Sequence, residues 1–65
     1  MTFYINTATH EVHKSSCEYA NPSKYPNIVR LGDFSYPSDA VSYAKRTGYS
    51  NADGCAYCCP QSHTK

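Results

Sequence analysis

Cys55-Ala56-Tyr57-Cys58 and, near the other end of the chain, His13-Lys14-Ser15-Ser16-Cys17 decide how this sequence is read. Two cysteines separated by two residues lie on one side of a tight turn, so both sulfurs can point at one atom. A histidine and a cysteine separated by three residues can do the same across a helical turn or a loose knuckle. Together they form H-x3-C…C-x2-C, four nitrogen and sulfur donors, the number a structural zinc ion requires. The expected ligands are therefore His13, Cys17, Cys55 and Cys58, closing everything from Glu18 to Gly54 into one loop.

Working outward, the rest of the chain shows why such a staple is needed. At 65 residues it is long enough for one small domain, a size at which metal, disulfides or oligomerisation usually supplement the core. Its branched aliphatics and leucine are Ile5, Val12, Ile28, Val29, Leu31 and Val41, with Met1 the single methionine. Seven tyrosines and two phenylalanines must do much of the packing. Each buried tyrosine hydroxyl then needs a partner or a route to water.

The formal net charge is +1, and binding one zinc through three thiolates brings it to neutral. The cations are scattered, Lys45-Arg46 being the one doublet, so charge alone announces no nucleic-acid surface. From Met1 to Thr9 there is neither a basic start nor an apolar run of signal-peptide or membrane-span length. With Met1 as the native start, a cytoplasmic location is expected, and there cysteines point to metal before disulfides. A mature secreted peptide with an added Met1 is the competing case. Cys17, Cys55, Cys58 and Cys59 would then form two bridges, as in a disulfide-stapled toxin or antimicrobial peptide. Adjacent Cys58 and Cys59 would have to take different partners.

The secondary structure follows from alternation and turn residues. Thr2 to Thr7 reads as a strand with Phe3 and Ile5 on one face, and Tyr4 and Asn6 on the other. Thr7 to His10 reads as a turn, with Glu11-Val12-His13 returning as the paired strand. His10 and His13 are three apart and face opposite sides of an extended chain. His13 has the better spacing to Cys17. His63 spells C-x2-C-x4-H with Cys55 and Cys58 and would replace His13 only if the C-terminal turn folded back over the metal. Glu18 to Asn27, punctuated by Asn21-Pro22 and Tyr25-Pro26, reads as loop with one helical turn after Cys17. Ile28 to Phe34 is the next strand, with a kink or bulge at Gly32-Asp33.

Ser35 to Thr47 reads as the helix, with Ser35 as N-cap and Pro37 and Asp39 in its first turn. Lys45 and Arg46 suit its C-terminal dipole, and Gly48 stops it. Tyr49 to Gly54 reads as a loop leading into the CxxC, and Cys59 to His63 reads as one more turn. Cys59 is one position too far round to converge with Cys55 and reads as a small buried hydrophobe.

Tyr4…Asn6-Thr7-x-Thr9, Val12-His13-x3-Cys17, the Phe34-Ser35 helix entry, Gly48-Tyr49 and Cys55-x2-Cys58 resemble a class of short zinc modules. They are similar to the metal-binding N-terminal domain of the Ada DNA-repair protein and to small domains appended to bacterial nucleases. The resemblance runs from about Tyr4 to Cys58. It implies an Ada-like metal-binding fold with the zinc carried by His13, Cys17, Cys55 and Cys58. It also implies an alternative activity, a reactive zinc-thiolate that accepts a methyl group from a DNA phosphotriester. The Ada pattern has C-x3-C where this chain has His13-x3-Cys17. If the reactive cysteine is the first of Ada's four, His13 occupies its place and that chemistry does not carry over.

The sequence therefore predicts a small α+β zinc-stabilised domain spanning residues 1–65, with a short antiparallel β-sheet and one α-helix. One structural zinc is expected, in a monomer that binds another macromolecule and is not an enzyme. Nothing in the sequence resembles a nucleophile elbow, a phosphate loop or paired carboxylates. A protein partner is favoured over nucleic acid, and a membrane is not expected. The size fits a phage or mobile-element setting. Tyr36, Tyr43 and Tyr49 beside Lys45-Arg46 form the expected surface if the partner is nucleic acid.

Overall fold

Strand β1, Thr2–Asn6, alternates as its sequence demands: Phe3 and Ile5 are fully buried while Tyr4 is half-buried. The computed structural model describes residues 1–62, with Ser62 described for its backbone alone. The turn after β1 is set by Asn6, whose side-chain oxygen accepts the Ala8 and Thr9 amides at 2.8 and 3.1 Å. This is the local bonding that makes asparagine a turn residue. His10 closes the turn in a left-handed conformation, φ 63°. Strand β2, Glu11–Lys14, then returns antiparallel, pairing Ile5 with Val12 and Tyr4 with His13.

Strand β3, Ile28–Asp33, flanks β1 on its other side, also antiparallel. The register slips between Phe3, opposite Gly32, and Tyr4, opposite Arg30, so Leu31 is the extra residue of a bulge. Gly32 belongs there. Its φ is +153°, and a Cβ would stand 3.2 Å from the Phe34 ring.

Helix α1 spans Pro37–Arg46 and buries Ala40, Val41 and Ala44. Its N-cap is Tyr36 without a side-chain capping bond, which corrects the expectation of Ser35. Proline explains the shift: the residue before Pro37 is confined to extended backbone, and Tyr36 adopts φ −135°, ψ 150°. Proline's own fixed φ then starts the helix. At the far end the Tyr49 amide reaches back to the Ala44 carbonyl at 3.0 Å, with Gly48 at φ +122° making the reversal.

The expected antiparallel sheet is in fact mixed. The segment Tyr49 to Gly54 is not all loop, because Asp53–Gly54 forms a short strand, β4, parallel to β2. The sheet order is β3-β1-β2-β4. Aspartate and glycine have no strand preference, so context decides: the Asp53 amide bonds the His10 carbonyl at 3.1 Å and the Cys55 amide the Val12 carbonyl at 2.9 Å. These bonds carry the chain to Cys55 alongside the strand that holds His13.

The sheet has two working faces. Phe3, Ile5 and Val12 pack with Ala40, Val41 and Ala44 of α1, together with Ala52 and Cys59. By register, Tyr4 and His13 point to the opposite face. Short 3-10 turns at Glu18–Ala20 and Pro60–Ser62 complete the fold. Among the described residues, no helix is long and apolar enough to cross a membrane.

Candidate metal centre

His13 stands on the face of β2 away from α1, and the turn after β2 brings Cys17 back toward it. That turn is held by the Cys17 amide on the Lys14 carbonyl and the Ser15 amide on the Thr2 carbonyl, both 3.0 Å. The CxxC is curled by a helix-like bond from the Cys59 amide to the Cys55 carbonyl, 2.8 Å. The Lys14 amide points at Cys58 Sγ, 3.4 Å away.

These elements bring His13, Cys17, Cys55 and Cys58 together, with one ligand atom of each within 4.8 Å of all the others. His13 Nδ1 lies 3.8 Å from Cys17 Sγ and 4.0 Å from Cys58 Sγ. Metal–sulfur bonds of about 2.3 Å at tetrahedral angles place ligand atoms ~3.8 Å apart, so the cluster closes on an ion with small adjustments. One nitrogen and three sulfurs make a donor set for a soft or borderline cation. The cluster can hold a metal ion.

Burial sets the protonation of the metal-free side chains. His13 is 3 % exposed, and desolvation lowers its pKa against the opposing pull of Glu11. The ring is thus held neutral, as a ligand must be. Desolvation raises the Cys17 thiol to about 12 and the Cys58 thiol to about 11. A bound cation reverses that penalty, because it converts a buried lone anion into a ligand.

The other sequence candidates lie elsewhere. His10 contacts Asn51 through Nδ1 and sets its ring edge-on to Tyr49, centroids 5.1 Å apart. It pins the first turn to the segment before β4. His63 lies outside the described residues. Cys59 is in the core under α1, as a small hydrophobe should be, yet its sulfur is 3.7 Å from Cys58 Sγ. Tyr36 and Tyr43 are exposed, but Tyr49 packs against the core, so these three do not form one rim.

A feature missed by sequence reasoning lies against the donor cluster at His13. Tyr19 packs against His13 at 6.2 Å and against both Tyr25 and Tyr57 at 5.8 Å, forming a row of three rings. Tyr25 and Tyr19 are half-buried, while Tyr57 is 81 % exposed. The signal was positional: Tyr19 follows Cys17 by two residues and Tyr57 lies inside the CxxC. Beside the row opens a groove of about 430 Å³ lined by Ser15, Cys17, Glu18, Ala20, Asn21, Pro22 and Lys24.

Comparison with protein-family models, with curated proteins and with solved structures finds no match to this chain. The functional reading therefore rests on the site itself.

Proposed function

We propose that this protein is a small structural-zinc module, of the Ada type in its ligand spacing, that binds another macromolecule. The observation that carries the metal is the convergence of His13, Cys17, Cys55 and Cys58 to within 4.8 Å. Zinc accepts this mixed nitrogen–sulfur set in tetrahedral geometry, and four protein donors leave no position for a reacting water. When bound, the ion staples the β2 turn to the CxxC and takes the place of a larger core. The role is binding, not catalysis.

The row Tyr25–Tyr19–Tyr57, which ends on the 81 % exposed Tyr57, and the groove beside Cys17 support the partner-binding reading, since tyrosine is enriched among the anchors of interfaces. The charges there are mixed. Glu18 and Lys24 both line the groove, and Lys24 sits 5.6 Å from the Tyr25 ring centre. A phosphate backbone would meet no basic stripe, so a protein partner fits better than nucleic acid.

Native mass spectrometry tests the metal: one zinc per chain, lost on chelation with four free thiols left behind. Crosslinking from lysate of the source cells, comparing wild type with Tyr57→Ala in the zinc-loaded form, tests the partner. Capture of the same protein by both would count against the tyrosine row.

A further inference from the structure

Cys59 is left outside the cluster of ligand atoms, yet it is not merely core filling. It is 1 % exposed, and its Sγ lies 3.7 Å from Cys58 Sγ, within range for a sulfur hydrogen bond. Either sulfur is able to donate while both are thiols. Under the zinc reading above, on which this inference rests, Cys58 has no proton once bound. The direction is then settled: Cys59 donates and Cys58 accepts.

The ligands differ in how they are shielded. Cys55 is protected by burial, 2 % exposed, whereas Cys17 and Cys58 are half-buried and open to small electrophiles. Cys17 Sγ has His13 Nδ1 at 3.8 Å. Cys58 accepts the Lys14 amide and faces Cys59 as well. Hydrogen bonds to a bound thiolate draw off electron density, fix its orientation and lower its nucleophilicity.

We propose that Cys59 is a positioning residue whose thiol hydrogen-bonds the Cys58 sulfur and, with the Lys14 amide, keeps that zinc ligand from reacting. The device makes a partly exposed thiolate fit for structural duty. It also explains a Cys-Cys pair in which only the first sulfur joins the cluster.

Zinc-loaded wild-type protein gives the first test, because Cys59 is then the single remaining thiol. Its S–H stretching band in the infrared should lie at lower wavenumber than that of an unbonded thiol. A zinc-loaded protein with an unshifted band overturns the proposal while leaving the zinc reading intact. Protein that fails to take up zinc and shows four thiols overturns both.

Iodoacetamide gives the second test. A ligand sulfur displaces iodide, forming an S–C bond as the C–I bond breaks, and peptide mapping reports which cysteine reacted. In Cys59→Ala the ratio of Cys58 to Cys17 alkylation should rise about tenfold, the scale of effects from lost outer-shell partners. Cys59→Ser retains a donor and should restore a ratio near wild type. An unchanged ratio in the alanine variant, or a serine variant that matches alanine, overturns the assignment. If the alanine variant does not fold, the infrared band and the serine variant decide.

Discussion

Nδ1 of His13 lies 3.8 Å from Sγ of Cys17, with His13 inside β2 and Cys17 beyond the turn that follows it. The H-x3-C spacing thus works as a strand end plus a turn, not as two neighbours on a helix. The same strand receives β4, so the two halves of the donor set are tied together by backbone pairing.

Loss of any one thiol ligand should therefore remove tight zinc binding and the fold together. Structural zinc contributes roughly 10–16 kcal/mol in small domains of this kind. Cys17→Ser, Cys55→Ser and Cys58→Ser should each cost at least ~3 kcal/mol of that, enough to unfold a chain this small. Cys59→Ser should retain one zinc. Zinc content by native mass spectrometry, with circular dichroism on each variant, checks this. A Cys59→Ser variant without zinc beside a Cys58→Ser variant with it would reverse the choice of sulfur.

The two histidines of the described chain should separate cleanly. His13→Ala removes a buried ligand and should weaken zinc binding by roughly a hundredfold or more, as loss of a direct ligand must exceed outer-shell losses of 10–100-fold. His10→Ala loses its Asn51 and Tyr49 contacts but leaves the donor set whole, so zinc affinity should change little. Competitive titration at neutral pH reads both. Equal affinity for His13→Ala and wild type would remove His13 from the site.

Acid should release the metal. Burial lowers the His13 pKa below its ordinary 6.5. Above 6.5 the ring is neutral in folded and unfolded chains alike and adds no pH dependence. As pH falls from there toward the folded-state value, the unfolded chain takes up the proton first, so stability declines. The cysteines act in the same direction in the loaded protein, because zinc release lets the Cys17 and Cys58 sulfurs bind protons again. Midpoints of thermal unfolding for zinc-loaded protein should fall as pH drops below the ordinary thiol range of about 8.5, and more steeply below pH 6.5, where the histidine adds to the cysteines. A flat profile from pH 7 to 5 would be incompatible with a neutral buried histidine ligand.

Gly48 and Gly32 separate backbone strain from crowding. A Cβ at Gly48 would meet nothing within 4 Å, yet its φ is +122°. Gly48→Ala should thus cost about 1–2 kcal/mol, from conformation alone. Gly32→Ala adds contact with the Phe34 ring and should cost more. Urea denaturation of the two zinc-loaded variants orders them.

Much of this was legible in the chain because it depends on local chemistry. Phe3 and Ile5 alternate with polar neighbours, the turn falls at Thr7 to His10, and Gly48 stops the helix, although its start lies at Pro37 and not at Ser35. The donor spacing alone singled out His13, Cys17, Cys55 and Cys58. What escaped depends on contacts distant in sequence. Asp53-Gly54 carries no strand signal and becomes one only through the His10 and Val12 carbonyls. Tyr19, Tyr25 and Tyr57 form a row only after the donor-bearing segments meet, whereas Tyr49 turns inward onto His10.

The class of the proposed partner is tested by charge reversal at α1. Lys45 and Arg46 are exposed in its last turn, where they complement the helix dipole whether or not anything binds. Tyr36 and Tyr43 lie on the surface, but without Tyr49 they do not continue as a stacking platform. Single-stranded nucleic acid needs both a cationic track and stacked rings, and here the ring row and the cation doublet belong to different parts of the fold. Lys45→Glu with Arg46→Glu should therefore leave retention on DNA and RNA at low salt unchanged and weak. Each phosphate contact adds about −0.7 to −0.9 to the slope of log affinity against log salt. Retention lost in the double variant, with a slope shallower by about 1.4–1.8 for two contacts, would assign the partner to nucleic acid instead. Unchanged retention, together with capture of a protein by the wild type that Tyr57→Ala fails to hold, assigns it to a protein and places the contact over the metal centre.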